Sequence, residues 1–283
     1  MTGLSLALAN LKPGTGKTTS AVWLAHVFAQ AGNSVLLVDA DPSGSALEWS
    51  DLAAMDPHLT APEAAFPFRI IALPSRELHR RLPEIAQADD VVIIDTPQLE
   101  DHAAIARSAL RYADEIIIPC APSPIEINRT TPVRDEIAEI AAIREQPVRS
   151  AVLLNRCIAR AHSTVDAREA LRDLGYDVLT TVVPRREVYA QSFGLPIKRD
   201  GCEIWRQVAR ELTDRCAPLC SVRSLGRAER QTRWRLSENG RRRRWPRRRA
   251  GARRRTRPPR AGPRSGPRRS GSPWTSPPSS TGS

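Results

Sequence analysis

The chain has 283 residues, a length that allows one large α/β domain or two smaller ones at roughly 150 residues per domain. Its net charge of +12 is unevenly distributed, because residues 221–283 hold 20 Arg and 2 Glu, which leaves residues 1–220 with a net charge of −6. No apolar run approaches the roughly 18 residues of a membrane-spanning helix, and the five Cys lack CxxC spacing, as is typical of a reducing compartment. We therefore expect a cytoplasmic protein without a membrane partner.

Short apolar runs alternate with amphipathic segments over residues 4–215. The runs predict strands at residues 4–10, 34–39, 68–73, 90–95, 114–119, 150–155 and 178–183. The segments predict helices at residues 18–31, 75–87, 101–112, 124–144, 163–174 and 202–215. Most runs are continuous Val, Ile and Leu, which indicates strands buried on both faces. The sequence therefore predicts an α/β fold in which residues 1–220 form one domain, with a doubly wound, mostly parallel sheet and helices on both faces.

Residues 221–283 differ in composition from the rest of the chain. They are rich in Arg, Pro, Gly and Ser and almost without aliphatic side chains, which predicts a disordered basic C-terminal tail. Two interpretations of this tail remain open. Its Arg runs could neutralise nucleic-acid phosphates, with log K falling by about 0.9 per log salt for each phosphate contacted. Alternatively, the tail is an out-of-frame or unselected extension.

A glycine-rich segment joins the first predicted strand to the first predicted helix. It reads Lys12-Pro-Gly-Thr-Gly-Lys-Thr-Thr19, and its backbone N–H groups together with the helix N-terminus suit a phosphate. Lys17 would then lie along the β- and γ-phosphates of a nucleotide, and the Thr18 hydroxyl would ligate Mg²⁺. The general pattern G-x-x-x-x-G-K-[ST] fails at its first Gly, where Leu11 stands. The strand before and the helix after still predict a nucleotide-binding loop.

Three aspartates lie where two other predicted strands end. Asp39 and Asp41 stand at the end of the strand at 34–39, and Asp95 ends the strand at 90–95. Because parallel strands share one carboxyl edge, we expect these carboxylates to converge with Lys17 on one crevice. A carboxylate there can hold Mg²⁺ through water or orient an attacking water. A single such Asp would indicate a turn or helix cap, but three at matching strand ends predict a nucleotide site.

These motifs together resemble those of the ParA/MinD-type ATPases. The deviant Walker A, switch I and Walker B motifs of that family are matched by residues 12–19, by Val38-Asp-Ala-Asp-Pro42 and by Ile93-Ile-Asp-Thr-Pro97. Further similarity runs through residues 117–124, 153–156 and 183–189. The resemblance covers about residues 4–215 and is strongest to the short plasmid-type ParA proteins that lack an N-terminal helix-turn-helix domain. It implies a P-loop NTPase fold.

The resemblance also implies a role for each matching residue. Lys12 matches the signature lysine, which in an ATP-sandwiched dimer reaches the partner's phosphates in the manner of an arginine finger. Asp41 matches the residue that positions the hydrolytic water, so Lys12, Lys17 and Asp41 form the implied catalytic set. The other implied ligands are Gly14, Thr15, Gly16, Lys17, Thr18 and Thr19 for the phosphates, Asn155 and Pro184 for adenine, and Thr18, Asp39 and Asp95 for Mg²⁺.

The implied cofactors are ATP and Mg²⁺. The chain itself supports ATP over GTP, because Ile158 stands three residues after Asn155, where an Asp would accept hydrogen bonds from guanine. Two positions depart from the family pattern. Pro13 replaces the first Gly of the signature, which fixes φ at about −65° and removes an N–H, and Ser43 stands where Gln is usual. We expect nucleotide binding to survive both changes, whereas Pro13 leaves the placement of Lys12 open.

The implied function is slow, partner-stimulated ATP hydrolysis that segregates plasmid or chromosomal DNA. The implied partners are a second copy of the chain, bound in the presence of ATP, non-specific DNA of the nucleoid and a centromere-binding ParB-like adaptor. Six basic side chains are candidates for the DNA contact: Arg185, Arg186, Lys198, Arg199, Arg206 and Arg210. Residues 202–215 are expected to pack inward through Ile204, Trp205, Val208 and Leu212 and not to bind a membrane.

Two other functions stay open. The proline at position 13 motivates a nucleotide-gated scaffold that positions a protein cargo with little hydrolysis. A non-enzymatic nucleic-acid binder that acts through the basic tail is the third possibility. It differs from the others because its DNA binding would persist unchanged when Lys17 or Asp41 is replaced.

Overall fold

A computed structural model describes residues 3–59 and 65–220, so the predicted disordered tail at 221–283 lies outside the described residues. Within these ranges one sheet contains the strands β1 (Leu4–Leu8), β2 (Val35–Asp39), β3 (Arg69–Ala72), β4 (Val91–Asp95), β5 (Glu115–Cys120) and β6 (Arg149–Leu154). Every pairing is parallel and the order is β3-β2-β4-β1-β5-β6. The loops that follow β1, β2 and β4 therefore leave the same edge beside one another.

Helices cover both faces of the sheet. The described helices are α1 (Lys17–Gln30), α2 (Ser45–Ala54), α3 (Leu78–Ile85), α4 (Leu99–Tyr112), α5 (Pro124–Asn128), α6 (Thr131–Ile143), α7 (His162–Asp173), α8 (Glu187–Ala190) and α9 (Cys202–Cys220). One core joins the sheet to α1, α2, α8 and α9, and a second core joins it to α3 through α7. The expected doubly wound α/β fold is confirmed.

The strand sequences explain why two cores form. Successive side chains of a strand point to opposite faces, so Leu6 and Leu8 enter the core with α1 while Ala7 enters the other. Burial of each Leu side chain contributes about 1.5–3 kcal/mol relative to its exposure. Helix α1 is enclosed over most of its length, since every residue from Ser20 to Phe28 is buried.

The predicted strand at residues 178–183 is wrong as a strand of the sheet. Val178 forms only an isolated parallel bridge with Val152. The following backbone is bound by side chains, because both carboxylate oxygens of Glu211 accept the N–H groups of Thr180 and Thr181 at 2.5 and 2.9 Å. The guanidinium of Arg168 donates to the carbonyls of residues 179 and 180. Leu179 and Val183 still donate to carbonyls of β6, but these side-chain bonds interrupt the regular ladder that a seventh strand would need.

Two helix predictions also change. The predicted helix at 124–144 is divided into α5 and α6, because Pro132 near the start of α6 cannot donate to the carbonyl of Asn128 and its ring crowds that carbonyl. Helix α2 is absent from the sequence prediction. Its first turn is capped by Asp39, which lies outside the helix by several residues, so no local capping residue marks where the helix begins.

The predicted inward face of the last helix is confirmed. Trp205, Val208 and Leu212 are each at most 1% exposed, and Ile204 packs against the same core. No helix in the described part of the chain combines the length and the apolar character that a bilayer crossing requires.

Candidate functional site

The loop between β1 and α1 is shaped by two glycines with left-handed backbone. Gly14 has φ +73° and Gly16 has φ +94°, a conformation that glycine adopts without the steric cost of a Cβ. Gly16 precedes α1, and no side chain caps the helix. A Cβ at Gly16 would lie 2.8 Å from Nδ2 of Asn155, so only glycine fits this position without displacing Asn155. The uncapped N–H groups of α1 are therefore available to an anion.

Lys17 begins α1 and is buried beneath this loop. Its side chain donates a 3.5 Å hydrogen bond to the carbonyl oxygen of Lys12. Burial lowers the pKa of Lys17, and the nearby carboxylates of Asp95 and Asp41 oppose that change. A buried ammonium beside an uncapped helix N-terminus is suited to a phosphate ligand.

Asp95 ends β4 and its carboxylate is buried. Burial raises the pKa of Asp95 to about 7, with Asp39 and Asp41 acting in the same direction and Lys17 opposing. Neither carboxylate oxygen makes a hydrogen bond of full geometry, although the Thr18 hydroxyl is near enough to lower the pKa. An unsatisfied buried carboxylate next to a hydroxyl is the donor set that fits Mg²⁺ bound partly through water.

Asp39 is directly opposite Asp95 in the pairing of β2 with β4. One of its oxygens accepts the N–H groups of Ala46 and Leu47 at 2.9 and 3.0 Å, and the other accepts the N–H of Asp41 at 3.2 Å. Burial raises the pKa of Asp39, and these backbone hydrogen bonds oppose the rise. Asp39 therefore anchors the N-terminus of α2, while its role as a Mg²⁺ ligand stays a prediction.

Asp41 lies in a tight turn between β2 and α2. Its Oδ1 accepts the N–H of Ser43 at 2.9 Å, and its carbonyl accepts the N–H of Gly44 at 3.0 Å. The carboxylate is close enough to Lys17 and Asp95 to affect the pKa of both. The expected convergence of Lys17, Asp41 and Asp95 is therefore present, and the water-positioning role of Asp41 stays a prediction.

Lys12 lies on the same loop, but its side chain is turned to α4. Its Nζ is 3.5 Å from Oε2 of Glu100, and both side chains are partly exposed. Glu100 was not predicted as a site residue, because no local motif links it to the loop. The available signal was its position five residues after Asp95, as the second residue of α4.

A cavity of about 620 Å³ adjoins the loop where the base of a nucleotide is expected. Gly16, Thr19, Asn155 and Pro184 line it together with Ile158, the position that favours ATP over GTP. The lining also includes residues that were not predicted for the site: Ala121, Arg156, Val183, Tyr189 and Trp205. Nδ2 of Asn155 donates to the carbonyl of Thr15 at 2.8 Å, whereas its Oδ1 is buried without a partner in the structure. An orphan amide oxygen can accept from the exocyclic amine of adenine.

Several basic residues proposed for DNA contact already have partners in the chain. Arg186 donates to the Asp200 carboxylate at 2.8 Å and also lines the base cavity, as does Arg185. Arg206 donates to Oε1 of Gln30 at 2.9 Å and lies near Glu203. The structure therefore does not bring the six candidates together as one free group.

No cluster of three or more His, Cys, Asp or Glu forms a ready cation site in the described ranges. A Mg²⁺ ion would thus depend on Thr18, on Asp95, on water and on the phosphates of a nucleotide. This is the usual way in which Mg²⁺ is held beside nucleotides, since it keeps several waters and takes one or two carboxylates.

The parallel sheet, the glycine cradle at the N-terminus of α1 and the buried Lys and Asp beside it define a P-loop nucleotide-binding protein. The model of the CobQ/CobB/MinD/ParA nucleotide binding domain family matches residues 6–197. The chain belongs to this family, and the resemblance to ParA/MinD-type ATPases is confirmed.

Relatives with similar sequences include proteins named for carboxysome distribution and for chromosome partitioning. The chain is 32% identical to the maintenance of carboxysome distribution protein A of Halothiobacillus neapolitanus over 185 residues, which is 65% of this chain and 81% of the relative. It is 31% identical over 217 residues to the protein of the same name from Gloeobacter kilaueensis, covering 73% and 93%. The chromosome partitioning protein ParA of Myxococcus xanthus is 27% identical over 264 residues, covering 76% and 90%.

Solved structures share the fold. An ATP complex of a variant of Cyanothece McdA has a TM-score of 0.60 at 17% identity, covering 76% of this chain and 98% of that one. The cobyrinic acid a,c-diamide synthase of Mycobacterium smegmatis with an ATP analogue and magnesium has a TM-score of 0.60 at 22% identity, covering 74% and 93%. The prediction of ATP and Mg²⁺ as cofactors agrees with the ligands of these neighbours.

Proposed function

We propose that this protein is a ParA-type positioning ATPase that dimerises when it binds ATP, associates with DNA as the dimer and is released after slow hydrolysis. The observation that carries this proposal is the convergence of Lys17, Asp41 and Asp95 beside the uncapped N-terminus of α1. Neither Asp95 oxygen makes a hydrogen bond of full geometry, Lys17 donates a 3.5 Å bond to the Lys12 carbonyl, and no side chain caps α1, so an ATP·Mg²⁺ ligand would supply partners to all three.

The residues present suit each part of that ligand. The N–H groups of residues 14–19 and the Lys17 ammonium would bind the phosphates, and the orphan oxygen of Asn155 beside Pro184 would accept from adenine. Thr18 and Asp95, with Asp39 near them, would hold Mg²⁺, which neutralises charge on the phosphate oxygens. Asp41 would orient the attacking water, and Lys12 of one protomer would reach the nucleotide of the other.

We further propose that the ATP dimer binds DNA of the nucleoid without sequence preference and that a ParB-like adaptor stimulates hydrolysis. The ParA and Soj relatives support a DNA cargo as the first candidate. A protein cargo is the second candidate, because relatives at 31 and 32% identity are carboxysome distribution proteins. In that case the chain would act as a nucleotide-gated scaffold.

Dimerisation and DNA binding by the full chain test the nucleotide cycle. We expect ATP·Mg²⁺ to produce a dimer that retains DNA, whereas ADP does not. Lys17→Ala should lose both properties, while Asp41→Ala should keep ATP binding and lose about 100-fold in turnover. DNA binding that is equal in all variants and nucleotide states would instead show that DNA binding is independent of the nucleotide, as expected of the third function, which acts through the basic tail.

The cargo requires a separate measurement of ATP turnover. DNA is added alone and together with the protein encoded by the neighbouring gene. Stimulation by DNA and a DNA-binding neighbour supports segregation of a replicon. Turnover that responds to neither supports the scaffold function.

A further inference from the structure

The first turn of α4 is fastened to the nucleotide-binding loop by three contacts. The N–H of Leu99 donates to the carbonyl of Asn10 at 3.2 Å, and the N–H of Glu100 donates to the carbonyl of Leu11 at 3.2 Å. The third contact is the ion pair between Lys12 and Glu100 at 3.5 Å. Three successive residues of the loop thus hold two successive residues of the helix. We name residues 10–12 with residues 99–100 the clasp.

The clasped turn is separated from the remainder of α4 by a kink. His102 has φ −130° and ψ 42°, which is not helical, so the turn before it is not continuous with the residues after it. Those later residues are fixed in a core through Ala106, Ala109 and Leu110. The clasped turn also begins four residues after Asp95. Leu99 packs in the same core as those later residues, whereas the Glu100 side chain is exposed, so a change at the metal site can reach Glu100 through this short segment without a shift of the packed part of α4.

We infer that Glu100 is a positioning residue that holds Lys12 on its own protomer when no nucleotide is bound. This inference rests on the proposed function, in which Lys12 must reach the nucleotide of a second copy. An ammonium paired with Glu100 is not free to make that contact. Release of the clasp when ATP·Mg²⁺ engages Asp95 then couples nucleotide binding to dimerisation.

The exposure of the pair sets the size of the effect. The Lys12 and Glu100 side chains are 38% and 50% exposed, so water screens their attraction. Pairs of this kind change an equilibrium by about two- to five-fold. The clasp therefore weakens dimerisation to a small extent, which ATP overcomes, and does not prevent it.

Amine labelling measures the contact directly, because the chain has only three lysines, Lys12, Lys17 and Lys198. The full chain without nucleotide is treated briefly with N-acetoxysuccinimide, and acetylation of each lysine is followed by mass spectrometry. In Glu100→Gln we expect Lys12 to react about two- to five-fold faster relative to Lys198, and faster again in Glu100→Lys. Asp101→Asn is the matched control, since it removes a first-turn acid that pairs with Gln98 and not with Lys12.

Sedimentation with ATP then measures dimerisation. We expect the Kd of the ATP dimer to fall by about two- to five-fold in Glu100→Gln and to stay unchanged in Asp101→Asn. If the wild-type chain forms an ATP dimer but Glu100→Gln changes neither labelling nor Kd, this inference alone is overturned. A weaker dimer in Glu100→Gln would also overturn it, since Glu100 would then act within the dimer. If the wild-type chain forms no ATP dimer, the proposed function fails first.

Discussion

Asp95 shows how strongly a buried carboxylate can respond to pH. Its pKa is raised by burial from 3.8 to about 7, so between these values the folded state holds a proton that the unfolded chain has released. The stability that this proton confers is present at low pH and is lost as the pH rises through about 7. The nucleotide-free protein should therefore be less stable at pH 8 than a version without this charge.

Asp95→Asn tests this behaviour. Its gain in the free energy of unfolding, measured by urea denaturation without nucleotide, should be larger at pH 8 than at pH 5 by on the order of 2 kcal/mol. Any cost of accommodating the amide cancels in this difference, because it does not depend on pH. An equal effect at both pH values would contradict a pKa of about 7 for Asp95 in the folded state. The same variant should lose the Mg²⁺-dependent part of ATP binding.

Gly14 and Gly16 permit a comparison of backbone strain with steric conflict. Both have positive φ, which costs an Ala about 1–2 kcal/mol, but a Cβ at Gly14 meets open space whereas one at Gly16 meets Asn155. Gly14→Ala should lower the free energy of unfolding by about 1 kcal/mol. Gly16→Ala should lower it further and weaken ATP binding, because Asn155 must move. Urea denaturation and nucleotide titration of both variants check this, and equal effects would contradict the conflict with Asn155.

The residues of the site differ in how far sequence reasoning could reach them. Lys17, Asp95 and Asn155 lie in short motifs at strand ends, and the parallel sheet brings such positions together. Glu100 could not be found in this way, because its contact with Lys12 depends on the course of the loop that contains Pro13. The anchoring role of Asp39 was also hidden, since its partners are backbone N–H groups of a helix that the sequence did not predict.

At the scale of elements, α2 depends on a carboxylate at the end of β2. Asp39→Ala should lower the free energy of unfolding by about 1–2 kcal/mol, because the buried N–H of Ala46 and the partly buried N–H of Leu47 lose their acceptor. Amide exchange of Ala46 and Leu47 should become faster without any nucleotide present. Asp51→Ala, an exposed acid on the same helix, is the control and should have little effect. Protection that is unchanged in Asp39→Ala would leave metal binding as the only role of Asp39.

Most of the elements were predictable because continuous apolar runs identify strands buried on both faces. The prediction of a strand failed where side chains, and not a neighbouring strand, bind the backbone N–H and carbonyl groups. Residues 178–183 have the composition of a strand. However, Arg168 donates to backbone carbonyls of this segment, and Glu211 accepts from its backbone N–H groups. The local sequence pattern cannot predict that a guanidinium or carboxylate from a distant helix will bind the backbone of this segment.

The whole molecule has opposite charges in its two compositional parts. Residues 1–220 carry a net charge of −6, so DNA binding by them would require a locally basic surface, whereas residues 221–283 add 20 Arg. In a salt series the full chain should show a steeper fall of log K than a chain ending at 220, by about 0.9 for each phosphate that the tail contacts. Both should need ATP. A shortened chain that does not bind with ATP would assign DNA binding to the tail.

The enclosure of α1 determines where motion can arise. In the proposed complex, phosphates bind at the end of a helix that is surrounded by the sheet, by α2 and by α9, and has no room to tilt or slide. Helix α1 is therefore a fixed reference, and we expect a change on nucleotide binding to occur in the two segments that follow Asp39 and Asp95, residues 40–45 and 96–102. A pair of optical probes meant to follow the cycle should therefore place one dye near α1 and α9 and the other on one of these two segments. Two dyes placed on α1 and α9 should show no change in their distance during ATP turnover.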